Sequence, residues 1–203
     1  MEDFKTGDLL LFTEKNQGIL ALLRAAVKCG THSNYTHVAM ILRDPEFLDT
    51  PLKGLYVWES SWEGTPDPQD GKIKLGVQIT PMEQILKAYK KTGHIYYRKM
   101  ITSDEVDVFD NDTLSKIHDV VYDKPYDIVP TDWVEALIQK DPSPQKTSRF
   151  WCSALVGYIY TKCGILYEST DWSIMRPSDF ALSSENLPYT GKGYLLETET
   201  KIQ

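Results

Sequence analysis

The sequence predicts an α+β fold in which a mainly antiparallel sheet packs against a helix that begins at a cysteine. Runs rich in β-forming residues dominate the first half of the 203 residues, whereas most segments with helical spacing of apolar residues follow them. Short turn signals separate neighbouring runs, as between antiparallel strands. The helix predicted after residue 151 is apolar or small on most sides, which favours packing onto the sheet.

Strands are predicted where aliphatic, aromatic and β-branched residues run between turn residues. Residues 35–42 carry apolar side chains on both alternating faces, which is typical of a central strand. Residues 55–59 are expected to form the adjacent antiparallel strand. The predicted strands are 9–12, 35–42, 55–59, 76–79, 94–100 and 194–196.

Helices are predicted where apolar residues recur at spacings of three and four. Before one of them, Thr80 and Glu83 have the spacing of a capping box, with Pro81 at the first helical position. Residues 141–148, rich in Pro and Ser, are predicted to form a flexible connection. The predicted helices are 18–28, 81–89, 112–122, 133–138, 152–163 and a short one at 176–182.

Composition excludes several classes of function. With 29 acidic and 22 basic residues the net charge is −7, and no stretch concentrates Lys and Arg, so nucleic acid is not an expected partner. No apolar run reaches membrane-spanning length, and the first residues lack the pattern of a secretory signal. Three cysteines, an odd number, favour a reducing compartment over a disulfide framework. We therefore expect a cytoplasmic protein with one domain, residues 1–203.

Cys152 is the candidate nucleophile, because it begins an apolar helix. Unpaired N–H groups and the positive end of the helix dipole favour an anion there and lower the pKa of a thiol. Cys163 ends the same helix and Cys29 ends the first predicted helix, so both are expected to be structural. Most buried cysteines are inert, so Cys152 needs a base from elsewhere in the chain.

His37 and Glu59 are the candidate partners of that cysteine. His37 lies in the predicted central strand, where its imidazole is held for general-base work, although a core histidine bonded to a backbone carbonyl fits the same pattern. Glu59 lies on the strand predicted to pair with it, where its carboxylate would hydrogen-bond the second ring nitrogen and fix the tautomer. The alternative for Glu59 is a strand-end side chain in water. Glu63, in a loop rich in Gly and Pro, is expected to be solvated.

Six segments in order resemble the permuted papain-like cysteine hydrolases of the NlpC superfamily, in particular the YiiX-like branch and its poxvirus relatives. In that family a strand histidine comes first, an acidic or polar residue follows on the next strand, and a helix cysteine comes last. The resemblance spans most of the chain. Its segments are Thr6-Gly-Asp-Leu-Leu-Leu-Phe12, Tyr35-Thr-His-Val-Ala-Met40, Val57-Trp-Glu59, Gly76-Val77, Pro125-Tyr-Asp127 and Phe150-Trp-Cys-Ser-Ala-Leu-Val156.

The resemblance implies a circularly permuted papain-like fold and acyl transfer with Cys152 as nucleophile, His37 as base and Glu59 as the orienting residue. The backbone N–H of Cys152 is the expected first oxyanion donor, and Tyr35 or Tyr126 is the candidate for the second. No cofactor is expected. The family's substrates include peptide amides and, in the related lecithin:retinol acyltransferase branch, lipid esters, so a small-molecule, lipid-acyl or peptide substrate is expected.

Three alternatives remain open at this point. A metal site would draw on Cys29, His32, His37 and the two later cysteines, but their spacing fits no paired zinc-ligand motif. A glycosidase that uses Glu59 and Glu63 is the second alternative, although nothing in the sequence fixes the separation of the two carboxylates. The third is a binding or interaction module that keeps the fold without catalytic turnover.

Overall fold

The structure is a computed structural model that describes residues 4–14, 34–102, 107–127, 147–184, 186–191 and 193–203. Its main sheet has six strands in the order β4-β3-β2-β1-β5-β8, and each strand is antiparallel to its neighbours. The six strands are β1 Leu9–Glu14, β2 His37–Arg43, β3 Leu55–Ser61, β4 Gly76–Pro81, β5 Gly93–Arg98 and β8 Thr200–Lys201. The predicted α+β class with a mainly antiparallel sheet is confirmed.

A second, small sheet and three helices complete the regular structure of the described residues. The small sheet pairs β6 Met100–Ile101 with β7 Leu195–Leu196. The helices are α1 Met82–Tyr89, α2 Asn111–Val121 and α3 Cys152–Lys162. Short 3₁₀ turns follow α3 at Trp172–Ile174, Pro177–Phe180 and Leu182–Ser184. The predicted helices 18–28 and 133–138, and residues 141–146 of the predicted connection, lie outside the described residues.

The two faces of the main sheet are both buried, each beneath a different helix. Helix α3 packs on the face that carries the apolar side chains of Val38, Met40 and Trp58. Helix α1 packs on the other face, beside Ala39 and Val57. Strand β2 lies between β1 and β3 and is buried on both faces, which confirms its prediction as a central strand. The site described below depends on this arrangement, because α3 and β2 carry two of its residues.

Two local predictions are wrong. The capping box before α1 does not form, since Thr80 belongs to β4 and Pro81, which precedes the helix, makes no side-chain capping bond. Pairing of Pro81 with Tyr56 extends the strand to that point, so the sheet register overrides the local cap signal. The predicted strand 94–100 is two strands in different sheets, because the chain leaves the main sheet after Arg98. The Arg98 guanidinium donates to the carbonyls of Leu196 and of the next residue, which holds the partner of β6 at this corner.

No helix in the described part of the chain combines the length and the apolar content that crossing a bilayer requires.

Candidate active site

His37 and Glu59 lie on neighbouring strands and form a buried hydrogen-bonded pair. The register of β2 and β3 sets Met40 opposite Trp58, and side chains alternate along each strand, so His37 and Glu59 share one face of the sheet. The Nε2 atom of His37 lies 2.8 Å from Oε2 of Glu59, and the residues are 5% and 1% exposed. The alternative of a strand-end glutamate in water is therefore wrong.

Cys152 is the first residue of α3 and lies against the His37 ring. The His37 imidazole and the backbone N–H groups of Val38 and Ser153 act on the sulfur and lower the pKa of its thiol. Trp151 is the N-cap residue, and no acidic side chain lies in the first helical turn, so the positive end of the helix dipole is not neutralised there. The structure thus brings together the three residues that the sequence analysis proposed as nucleophile, base and orienting residue.

The electrostatics of Cys152 and His37 favour a charged pair. Burial raises the pKa of the Cys152 thiol, but the positive charge of His37 and the hydrogen bonds to the sulfur outweigh that effect and lower the pKa below its ordinary value. Burial likewise lowers the pKa of His37, but the charge and hydrogen bond of Cys152, with further contributions from Glu59, outweigh it and raise the pKa. The opposite directions stabilise a thiolate beside an imidazolium.

Cys163, at the other end of α3, shows the contrary behaviour. Both cysteines are buried and free. Burial raises the pKa of the Cys163 thiol, and two acidic residues, Asp110 and Asp107, raise it further. No imidazole among the described residues opposes that burial, so Cys163 is held as a neutral thiol at neutral pH, as a structural cysteine would be. Cys29, the third cysteine of the sequence, lies outside the described residues.

The start of α3 is held by three hydrogen bonds to two other parts of the chain. The Ser60 hydroxyl, at the end of β3, donates to the Phe150 carbonyl at 2.6 Å. On the other side, the Met175 carbonyl accepts from the Ser153 hydroxyl at 2.6 Å and from the Trp151 indole N–H at 3.2 Å. These bonds fix the residues on either side of Cys152, so the sulfur is positioned by its neighbours in sequence as well as by His37.

Gly76 allows the segment before α3 to reach the sheet. This glycine, with φ of +151°, bridges to Pro125, and a Cβ added to it would lie 2.3 Å from the Lys124 carbonyl oxygen. Pro125 also contacts the residues just before Cys152, because the Phe150 N–H donates to the Pro125 carbonyl at 3.1 Å. The close approach at Gly76 therefore connects strand β4 to the residues that precede Cys152.

Tyr35 and Tyr126, the two candidates for the second oxyanion donor, have other contacts. The Tyr35 hydroxyl donates to the Glu199 carboxylate near the end of the chain. Tyr126 is half-buried and forms a backbone bridge with Phe150, two residues before Cys152. The bridge places the Tyr126 backbone beside the segment that leads into Cys152. The role of Tyr126 as an oxyanion donor stays a prediction. The same holds for Tyr35, whose hydroxyl would have to exchange its bond to Glu199 for one to a substrate.

Most of the other contributors to the site act through backbone atoms, which give no signal in the sequence. Phe150 and Met175 act through their carbonyls, and Val38 acts through its N–H. Ser60 acts through its hydroxyl. Ser60 alone gave a signal, as a polar residue after a β-rich run. Glu63 was expected to be solvated, but it is half-buried and accepts a hydrogen bond of 2.8 Å from the Ser61 hydroxyl.

The described residues contain no cluster of three or more His, Cys, Asp or Glu side chains arranged to hold a metal ion. Two of the residues in the metal alternative, Cys29 and His32, lie outside the described part of the chain.

Comparison with known proteins gives a distant structural likeness. No protein-family model and no curated protein sequence matches the chain. Among solved structures, the chain is similar to the crystal structure of the metalloprotein yiiX from Escherichia coli O157:H7, with 17% sequence identity and a TM-score of 0.49. The similarity covers 98% of this chain and 97% of that one. A likeness at this level supports no conclusion on activity, so the functional proposal depends on the site geometry.

Proposed function

We propose that the protein is a cysteine-dependent hydrolase or acyltransferase that cleaves an amide, ester or thioester bond through an acyl-enzyme on Cys152. The single observation that carries the proposal is the buried group of three residues, in which the Glu59 carboxylate bonds the His37 ring at 2.8 Å and His37 lowers the pKa of Cys152. A structural cysteine needs neither a buried histidine nor a carboxylate behind it. The order of these three residues also supports the permuted papain-like fold.

Each residue has a defined role in the proposed reaction. The Cys152 thiolate attacks the substrate carbonyl and forms a tetrahedral oxyanion. The His37 imidazolium then gives its proton to the leaving group, and the neutral ring takes a proton from the incoming water or other acceptor. Glu59 keeps Nε2 of His37 as the donor nitrogen, so Nδ1 is left to exchange the proton with the sulfur and the leaving group.

The inactive binding module is the competing function, and turnover assays separate the two. We would measure initial rates with three probes: p-nitrophenyl acetate as an ester, an acetylated thiol as a thioester, and a peptidyl aminomethylcoumarin as an amide. The proposal predicts turnover of at least one probe by the native protein and none by Cys152→Ala. Turnover that persists in Cys152→Ala contradicts the assignment of the nucleophile. A native protein that leaves all three probes intact supports the binding module instead.

The relative kcat/KM values for the three probes then identify the class of scissile bond. A chain that hydrolyses the thioester and the ester but not the amide would be a deacylase rather than a peptidase, since the amide needs the strongest protonation of its leaving group.

A further inference from the structure

Strands β2 and β3 separate at the end of the sheet that carries His37. Their pairing runs from Arg43–Leu55 to Met40–Trp58 and stops there, although β2 continues to His37 and β3 continues to Ser61. On the outer sides the two strands stay paired: β2 with β1 as far as Phe12–His37, and β3 with β4 as far as Ser61–Gly76. An opening therefore lies between the two central strands, next to the candidate site.

The direction of the backbone groups in β2 follows from its pairing with β1. The Ile41 N–H donates to the Asp8 carbonyl at 2.7 Å, on the β1 side. Backbone N–H groups of an antiparallel strand alternate between its two neighbours, so that of Ala39 also faces β1. The N–H of Val38 faces β3. The pairing stops before Val38, so this buried N–H has no ladder partner on β3 among the described residues.

The start of α3 lies beside this opening. Ser60 shares the sheet face of Trp58, on which α3 packs, and its hydroxyl binds the Phe150 carbonyl at 2.6 Å. The Val38 N–H contributes to the lowered pKa of the Cys152 thiol, so it lies near the sulfur. This N–H, which a continuous β2–β3 ladder would direct to β3, is therefore available at the nucleophile.

We propose that the backbone N–H of Val38 is a catalytic group, which holds the Cys152 thiolate at rest and donates to the oxyanion during acyl transfer. The inference rests on the proposed acyl-enzyme function and names the second oxyanion donor of that site, in place of Tyr35 or Tyr126. A carbonyl carbon bonded to the sulfur can direct its oxygen towards an N–H beside the sulfur, where that donor would stabilise the oxyanion. The strand is rigid and central, so the donor needs no rearrangement when charge develops.

The step balances without any further reactant. A lone pair of the Cys152 sulfur forms the S–C bond, and the π pair of the carbonyl moves to its oxygen. When the intermediate collapses, that pair restores the carbonyl and the bond to the leaving group breaks. The leaving group takes the bond pair and the proton of the His37 imidazolium. Val38 keeps its N–H proton throughout, so it stabilises charge and transfers nothing.

Replacement of one backbone atom tests the inference. Incorporation of α-hydroxyisovaleric acid at position 38 converts the amide between His37 and Val38 into an ester, which deletes the N–H and keeps the side chain. The matched control is lactic acid at position 39, which deletes the Ala39 N–H that faces β1. Both variants are checked for folding by circular dichroism and thermal unfolding. Two readouts follow: the pH midpoint of Cys152 alkylation by iodoacetamide, and the rate of Cys152 acylation by p-nitrophenyl acetate.

We expect the ester at position 38 to raise the pH midpoint of alkylation and to slow acylation about 10²- to 10³-fold, as for the loss of one oxyanion donor. The ester at position 39 should lower the unfolding temperature but leave both readouts near native. Equal acylation rates and midpoints in the two folded variants would overturn the inference and leave the proposed function standing. If the native protein forms no acyl-enzyme on Cys152, the proposed function fails and the oxyanion role fails with it.

Discussion

Glu59 holds His37 by a hydrogen bond from the ring atom Nε2, at 2.8 Å from Oε2, with both residues closed off from solvent. The Nε2 atom is committed to the carboxylate, which leaves Nδ1 as the ring nitrogen available to the Cys152 sulfur. The second oxygen of Glu59, Oε1, is buried and makes no hydrogen bond to the described residues. A buried carboxylate with one partner costs stability, which is consistent with a functional rather than a stabilising role.

Replacement of Glu59 by Gln should damage the reaction far more than the fold. An amide at this position can donate to Nε2, which favours the wrong tautomer of His37 and leaves the thiolate without its imidazolium. We expect the rate of Cys152 acylation to fall about 10²- to 10⁴-fold. The free energy of unfolding should change less than the rate does, because the amide has the same shape and keeps a hydrogen bond to Nε2. Stopped-flow acylation and urea unfolding measure the two effects.

Glu63→Gln is the matched control for that variant. Glu63 lies four residues further along and accepts its hydrogen bond from Ser61. We expect it to keep the native acylation rate. A native rate in Glu59→Gln would remove Glu59 from the catalytic group.

The pH dependence of Cys152 reactivity follows from the two opposite pKa shifts. The thiolate–imidazolium pair exists between the lowered pKa of Cys152 and the raised pKa of His37. Alkylation by iodoacetamide should therefore reach its plateau at a lower pH than for an ordinary thiol, whose pKa is about 8.5. It should fall as the pH drops through the lowered pKa. Cys163 should not react in this range, since its pKa is raised.

His37→Ala should reverse the shift of Cys152. Burial is the largest influence on this thiol and it raises the pKa, so without the imidazolium we expect the alkylation midpoint to move above about 8.5. Mass-spectrometric mapping of the labelled cysteine across a pH series gives the midpoint. A midpoint that is the same in the variant and the native protein would show that His37 does not control the thiol.

Ser60→Ala tests whether the hydroxyl at the end of β3 positions the nucleophile. The change removes the 2.6 Å donor of the buried Phe150 carbonyl, which keeps the Asp127 N–H at 3.2 Å, so we expect a loss of about 0.5–1.5 kcal/mol in the free energy of unfolding. Acylation of Cys152 should slow as the start of α3 loosens. Ser61→Ala is the control, because its hydroxyl bonds Glu63 and not the α3 segment. Acylation that slows equally in both variants would contradict a specific role for Ser60.

Gly76→Ala tests the close approach that connects β4 to the segment before α3. Gly54 has a positive φ of +107° but no atom within 4 Å of an added Cβ, so Gly54→Ala reports backbone strain alone, about 1–2 kcal/mol. At Gly76 the clash with the Lys124 carbonyl adds to it, and we expect a further loss of about 1–3 kcal/mol. Urea unfolding of the two variants measures the difference. Equal losses would show that the approach is not tight.

The proximity of Cys152, His37 and Glu59 could be predicted from the sequence, because periodicity and turn signals place the first at a helix start and the others on paired strands. The assignment of their roles also drew on the family resemblance. The backbone contributions could not be predicted, since the Val38 N–H and the Met175 carbonyl are present in every sequence and only tertiary structure orients them. The end of the β2–β3 pairing at Met40 and Trp58 likewise follows from no local pattern of either strand.

The capping box at Thr80 fails for a related physical reason. Thr80 and Pro81 match the motif locally, but both are paired with β3, and ladder hydrogen bonds spread over six residues outweigh one side-chain cap. Strand β4 therefore continues to Pro81, which pairs with Tyr56 near the start of β3, and helix α1 begins at the next residue.

Acylation of Cys152 by p-nitrophenyl acetate at pH 7, followed by acid quenching and peptide mapping, tests the central claim most directly. The account predicts one acetyl group on Cys152, released by neutral hydroxylamine as a thioester must be. The adduct should be absent in Cys152→Ala and in His37→Ala, and present in Cys163→Ala. A native protein that carries no acetyl group on Cys152, or one that is equally acetylated on Cys163, would contradict it.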